Sequence, residues 1–230
     1  MSFDIITIFP DAVKAYLNES ILKRAQKKGL IKVKIHNLRD FTTNKHKRVD
    51  DKPFGGGPGM VLKIEPLIKA INSILRNQKQ ILNKKTKKTK IIIFSTGGKQ
   101  FDDKMAQKLA KEKQLIMICG RYEGVDERVK KTVRDSGFMI QELSVGPYVL
   151  TGGELAAMIL TDSVSRKIPG VLGKEESLEE KRMGVGVPVY TRPAEFVYKK
   201  KKYLVPKVLL SGNHKKIAEW QFKNKARQNF

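Results

Sequence analysis

Three glycine-bearing loops hold most of the side chains that could do chemistry. Residues 49–60 read Val-Asp-Asp-Lys-Pro-Phe-Gly-Gly-Gly-Pro-Gly-Met, which sets four glycines in twelve residues beside the paired carboxylates Asp50 and Asp51. Residues 119–128 read Cys-Gly-Arg-Tyr-Glu-Gly-Val-Asp-Glu-Arg, and residues 144–154 read Ser-Val-Gly-Pro-Tyr-Val-Leu-Thr-Gly-Gly-Glu. Glycine lets backbone N–H and C=O groups approach a flat ligand closely. Any one of these loops is explained by ordinary turn chemistry. Three of them in one chain point to a small-molecule site. The site is not a nucleotide fingerprint. Gly97-Gly98-Lys99-Gln100 lacks the hydroxyl residue and the spaced glycine of a P-loop, and Pro58 breaks the helix start that a dinucleotide motif needs. Cys119 has no His in its local sequence, so its strand-end position favours a buried thiol over a nucleophile.

The elements that must position these loops are legible from periodicity. Residues 3–9 form an apolar run stopped by Pro10, which reads as a buried strand. Val13, Leu17, Ile21, Leu22 and Ala25 predict one helix over 11–28, ended by Gly29. Residues 31–35 alternate as a strand, residues 36–60 are irregular, and residues 64–77 are helical. Strands are expected at 90–95, 115–119 and 137–142, helices at 101–112 and 154–166. Strands alternating with helices predict an α/β fold with a mostly parallel sheet, whose strand ends bind ligands. Residues 168–192 have little apolar periodicity and read as a linker. Residues 193–230 are basic, carry an expected helix at 213–227, and are too few to build a strong core alone.

Composition narrows the partner. The 230-residue chain is 40% hydrophobic, enough for a core, and carries a net charge of +24. Such a charge points to nucleic acid, because Lys and Arg gain affinity by releasing counterions from phosphates. The alternative is compositional bias, since 36 of the 47 basic residues are Lys. Two runs, within residues 83–90 and at Lys199, Lys200, Lys201 and Lys202, read either as solvated loops or as phosphate contacts. The longest apolar runs fall far short of a membrane span, so no membrane partner is expected. Residues 1–4 carry no basic n-region, so no secretory signal is read and a cytoplasmic protein is expected. One cysteine allows no internal disulfide, and no Cys/His cluster offers a metal site.

Six segments stand in a telling order: residues 49–60; 119–128; 146–155; the stretch from Asp162 through Arg166 to Gly173; Tyr190-Thr191-Arg192-Pro193; and Leu210-Ser211-Gly212-Asn213-His214. Together they resemble the bacterial tRNA (guanine-N1)-methyltransferase family, TrmD, over nearly the whole chain. The resemblance implies a SPOUT-type α/β domain over residues 1–167, with a deep trefoil knot that periodicity does not show and that base rates oppose. It implies a flexible linker over 168–192 and a small, mostly α-helical tRNA-binding domain over 193–230. It further implies a homodimer that methylates N1 of guanosine 37, just 3′ of the tRNA anticodon, using S-adenosyl-L-methionine and helped by Mg²⁺.

Carried over by motif, the cofactor pocket is made by strand-end segments. Phe94, Ser95, Thr96 and Gly98 form the first. Gly120, Tyr122, Glu123 and Gly124 form the second. Ser144, Val145, Gly146, Tyr148, Val149, Leu150, Gly152 and Gly153 form the third. The resemblance makes Arg166 the arginine that steadies the guanine, where the residues alone allow a surface charge at a helix end. It places Asp50 among the catalytic residues, and Gly59, Asn213 and His214 among those that meet RNA, although His214 alone would read as a capping or surface residue.

The chain departs from the family pattern in the linker. The stretch after Gly173 is about three residues shorter than usual, and an ungapped placement puts Lys181 where the family has its aspartate base. A shifted register makes Glu180 the base, with Glu179 as the other choice; both otherwise read as solvent-facing acids. Thr96 replaces a usual proline, Pro147 an aspartate and Gln221 an arginine, and the chain ends at Phe230 ahead of the family's last helices. Three alternatives stand beside the leading reading: a SPOUT enzyme with another RNA target, a catalytically impaired RNA-binding protein of the same fold, and a generic basic RNA-binding module.

Overall fold

The computed structural model describes residues 1–79, 89–173 and 187–224. It divides into two units, Met1–Val171 and Leu172–Phe230.

In the first unit the chain runs β1 (Ser2–Thr7), α1 (Pro10–Leu17), α2 (Ser20–Lys27), β2 (Lys32–Asn37), a 3-10 turn at Leu38–Phe41, β3 (Asp50–Asp51), β4 (Val61–Leu62) and α3 (Ile64–Lys79). It continues as β5 (Thr89–Gln100), α4 (Asp103–Leu109), β6 (Gln114–Ile118), α5 (Arg128–Asp135), β7 (Ile140–Ser144) and α6 (Glu154–Arg166). Five strands form one sheet in the order β2-β1-β6-β5-β7, and every pairing is parallel. Helices cover both faces, which is why the inner strands read as continuous apolar runs, whereas the edge strand β2 alternates.

The pleat sorts the strand residues between two cores. Phe3, Ile5, Ile92, Leu115 and Met117 pack with Val13, Leu17, Leu22, Ala25, Leu109, Leu160 and Val164 from α1, α2, α4 and α6. Their neighbours Ile6, Ile91, Ile93, Ile116 and Ile118 point the other way, onto Leu67, Ile71, Ile74, Val129 and Val133 of α3 and α5. Each such side chain, removed from water, contributes about 1.5–3 kcal/mol.

The structure departs from periodicity in several places. The expected helix over 11–28 is two helices, α1 and α2, broken at Asn18-Glu19, with Glu19 extended and Ser20 at φ 47°. Asn and Ser compete with helical hydrogen bonds, so the break costs little there. Gly137, expected to open a strand, instead closes α5. It sits at φ 81°, and the bonds Phe138 N–H to Val133 O (3.2 Å) and Gly137 N–H to Arg134 O (2.9 Å) satisfy the helix end. The strand β7 therefore starts three residues later. Helix α5 leaves little mark on the sequence, since Val129 and Val133 are its only buried residues.

The second unit holds an antiparallel hairpin, β8 (Glu195–Tyr198) and β9 (Lys201–Leu204), then α7 (Lys207–Leu210) and α8 (His214–Asn224). The hairpin is an addition to the mostly helical expectation. Asn213 caps α8, its side-chain oxygen accepting from the Lys216 N–H at 3.1 Å. Tyr190 meets Trp220 edge-on, with ring centroids 6.2 Å apart.

Candidate active site

The C-terminal ends of β5, β6 and β7 lie side by side in the sheet, so the loops that leave them must converge. They enclose an open cavity of ≈ 390 Å³. Its wall takes Phe94, Ser95 and Thr96 from a bulge within β5, Gly120, Tyr122, Glu123 and Gly124 from the second segment, which follows β6, and Ser144, Val145, Gly146, Tyr148, Val149, Leu150, Gly152 and Gly153 from the third, at the end of β7. Gly98 is not in the wall. Leu143 of β7 faces both Phe94 and Lys99 of β5, so the intervening residues bulge out of the sheet and return. A Cβ on Gly98 would lie 2.7 Å from the Leu143 backbone. This glycine lets the two strands close behind the wall.

The second and third loops are bolted together by a group whose role the sequence did not announce. Arg121 donates from Nε to Glu154 Oε2 at 3.0 Å and from its guanidinium to the Thr151 carbonyl at 3.2 Å, and it lies 4.5 Å over the Phe9 ring. Glu154, 4% exposed, accepts at its other oxygen from Thr7 Oγ1 at 2.7 Å. The backbone adds Gly153 N–H to Gly120 O at 2.9 Å, and a Cβ on Gly153 would come 2.7 Å from the Cys119 Cα. Both Arg121 and Glu154 stood inside recognised motifs, and only the fold shows them as one ion pair spanning the ends of β1 and β6 and the start of α6. Cys119 beneath is a buried thiol, and desolvation, aided by the Glu154 charge, pushes its pKa well up. It is no nucleophile.

A second cluster, also unanticipated, forms part of the wall. Lys130 Nζ bridges Glu127 and Glu142, 2.8 Å from each. Burial pulls the ammonium pKa down, but the two carboxylates outweigh it and the pKa rises. Within the wall three glutamates, Glu123, Glu127 and Glu142, face two cations, Arg121 and Lys130, so the site is locally acidic in a chain of charge +24.

The loop at 49–60 joins the site through β4. The Glu123 N–H donates to Met60 O at 3.0 Å, Leu62 N–H to Gly124 O at 3.0 Å, and Asp126 N–H to Leu62 O at 3.1 Å. Gly59 sits at φ 86° against Glu123, and a Cβ there would overlap the carboxylate at 2.3 Å. Asp50 pairs with Leu62 in the β3–β4 ladder. Its neighbour Asp51 bonds Lys63 Nζ at 2.9 Å, and that bond lowers its pKa. A segment about 70 residues away in sequence thus braces the second loop.

Other expected site residues lie elsewhere. Arg166 ends α6, whose first turn touches the cavity through Ala156. At 1.5 Å per residue it stands about 18 Å along the helix from Glu154. Asn213 and His214 are exposed in the second unit. Glu179, Glu180 and Lys181 lie outside the described residues. Among the described residues no group of three or more His, Cys, Asp or Glu could hold a metal ion, and no helix is long and apolar enough to cross a membrane.

The family model for tRNA (guanine-1)-methyltransferase TrmD matches residues 1–229. Proteins named tRNA (guanine-N(1)-)-methyltransferase are similar along nearly all of this chain and about four-fifths of their own length. That of Dictyoglomus turgidum is 46% identical over 100% of this chain and 87% of its own. That of Carboxydothermus hydrogenoformans is 48% identical over 97% and 82%, and that of Staphylococcus epidermidis 46% over 98% and 86%. By the family model over residues 1–229 and by these relatives, the chain belongs to the tRNA (guanine-1)-methyltransferase family.

Proposed function

We propose that this chain is a cytoplasmic S-adenosyl-L-methionine-dependent methyltransferase acting on N1 of guanosine 37 of tRNA, with a knotted SPOUT fold and a homodimeric assembly. The observation that carries the reading is the strand-end cavity, lined by residues of the 119–128 and 144–154 segments together with Phe94, Ser95 and Thr96. Its residues fit the cofactor. Loop backbone and the Tyr122 and Tyr148 rings suit a flat base, and the acidic balance of the wall suits a ligand bearing sulfonium and ammonium charges. When bound, the cofactor supplies an electrophilic methyl group.

The chain's own groups must then do three things. The Arg121–Glu154 pair and the β4 ladder hold the loops at fixed spacing, so that the guanine is oriented rather than searching. Arg166 stabilises negative charge that grows on O6 as N1 gives up its proton. Because Arg166 is about 18 Å from the cavity end of its own helix, a second copy would present it, which supports the dimer. A carboxylate takes the N1 proton. Glu180 is assigned that role, and Asp50, in the braced β3–β4 hairpin, is the other carboxylate that the resemblance puts among the catalytic residues. Asn213 and His214 stand on the unit that grips the anticodon stem, and Gly59 holds the loop against Glu123. No ligand set for Mg²⁺ is proposed among the described residues.

The test is methyl transfer from labelled cofactor to a tRNA transcript carrying guanosines 36 and 37, with Mg²⁺ present, beside Glu180→Ala and Glu179→Ala variants. Label at N1 of guanosine 37, lost about 10²-fold in Glu180→Ala alone, is the expected result. Transfer that survives Glu180→Ala moves the base elsewhere. Cofactor and tRNA binding without any transfer favours the catalytically impaired RNA-binding reading, which Lys181 at the usual aspartate position would explain.

A further inference from the structure

The β8–β9 hairpin carries the densest positive charge among the described residues of the second unit, and its geometry is specific. The strands pair Glu195 with Leu204, Phe196 with Tyr203, Val197 with Lys202 and Tyr198 with Lys201. Side chains therefore alternate between faces. One face shows Phe196, Tyr198, Lys201 and Tyr203; the other shows Glu195, Val197, Lys202 and Leu204. Lys199 and Lys200 make the two-residue turn, at φ 46° and 62°. Lys199 Nζ lies 5.5 Å from the Tyr198 ring centroid, and Lys201 Nζ the same distance from that of Tyr203. Lys202 is tied to Glu195 at 2.8 Å. The aromatic residues Phe196, Tyr198 and Tyr203 are 57%, 55% and 49% exposed.

Compositional drift toward lysine does not account for this arrangement. Drift fills positions where lysine costs nothing, whereas a turn with both φ values positive favours Asn and Gly, and other residues are strained there. A cationic tip above an exposed aromatic face is the pairing that single strands and loops of nucleic acid bind, by phosphate attraction and by stacking. We propose that this hairpin is a contact surface for the sugar–phosphate backbone of the RNA substrate, with Lys199, Lys200 and Lys201 as the phosphate-facing cations and the Tyr198–Tyr203 face as the stacking platform. The proposal rests on the tRNA reading above and adds a site that none of the family's motifs marks.

The experiment measures the dissociation constant of the full chain for the tRNA transcript across about 50–300 mM KCl. It compares the parent, K199N/K200G/K201T and K199R/K200R/K201R. Asn-Gly is the favoured pair for such a turn and Thr suits a strand, so the first variant keeps the hairpin while removing its charge. Each phosphate contact contributes roughly 0.7–0.9 to the slope of log Kd against log salt, so the neutral variant should lose about 2–3 from that slope. Its affinity near physiological salt should fall about tenfold or more. The arginine variant should keep both, and cofactor affinity and kcat at saturating tRNA should not move. An unchanged slope in the neutral variant overturns the proposal, whether or not affinity falls. A parent that binds no tRNA overturns the tRNA reading first and this inference with it; a parent that methylates tRNA beside an unaffected variant removes this inference alone.

Discussion

Asp4 and Glu154 are carboxylates at opposite ends of the same sheet, exposed by only 2% and 4%. At the N-terminal ends of the strands, Asp4 accepts from Gln114 Nε2 at 2.7 Å and Ser2 Oγ at 3.0 Å and bonds His36 Nε2 at 2.9 Å, while Thr89 bonds Gln114 at 3.2 Å. That chain of contacts crosses β2, β1, β6 and β5 and ties strand to strand. At the C-terminal ends, Glu154 ties a strand to two loops and a helix through Thr7 and Arg121. Burying a charge costs several kcal/mol at either end and demands full satisfaction. The difference lies in what the satisfied network borders: packed strands in one case, a cavity of ≈ 390 Å³ in the other. The first network can contribute only stability. The second also sets the spacing of the loops that line the cavity.

Breaking the cavity-side network should give the largest effect. Glu154→Ala leaves Arg121 and Thr7 without their partner, and removing one member of such a pair costs about 3 kcal/mol. Urea unfolding should show that loss, and the Kd for S-adenosyl-L-methionine should rise at least tenfold in protein that is still folded. An intact cofactor Kd would mean that the loops hold their spacing without the pair. Asp4→Asn tests the other end. Losing the charge-assisted bonds should cost about 2 kcal/mol and leave cofactor affinity where it was.

The same residue sets a pH dependence. Burial pushes the Asp4 carboxyl up, but bonds from His36 and Gln114, with the His36 charge and Ser2, outweigh it and the pKa falls below the ordinary 3.8. The folded state therefore holds this proton more weakly than the unfolded state. The stabilisation is complete above the ordinary carboxylate pKa and is lost as pH drops through the lowered one. Between about pH 7 and pH 3, the parent should lose more unfolding free energy than Asp4→Asn, which has no such carboxylate to protonate. The smallest effect is at the brace between them in sequence. Gly59→Ala puts a methyl into the left-handed region and onto Glu123, for about 1–2 kcal/mol and a few-fold rise in cofactor KM with kcat nearly unchanged.

The alternation of apolar runs and helical spacing was enough to read the α/β class and most of its strands. Residues 91–93 and 115–118 are apolar without interruption, and burial on both faces allows no other pattern. Boundaries failed where one residue type serves two purposes. Gly137 reads equally as a strand neighbour or a helix stop, and only the Val133 carbonyl waiting above it decides. The β8–β9 hairpin was hidden because its turn is made by two lysines instead of glycine or asparagine.

Glycine spacing and motif order are local, so two of the loops that line the cavity, 119–128 and 144–154, could be picked out along the chain, whereas the carboxylate-bearing loop at 49–60 braces them without lining the cavity. The sequence also carried the charge of +24, which left nucleic acid and compositional bias both open until the family match pointed to tRNA. Tertiary structure decided what those loops do to one another. Gly98 proved to be a gap-closer behind the wall, Gly59 a seat for Glu123, and Arg121 and Glu154 one ion pair between residues 33 apart. Such roles depend on distances across the sheet, and a parallel sheet brings together segments that are far apart in sequence. No period or motif along the chain records which of them will touch.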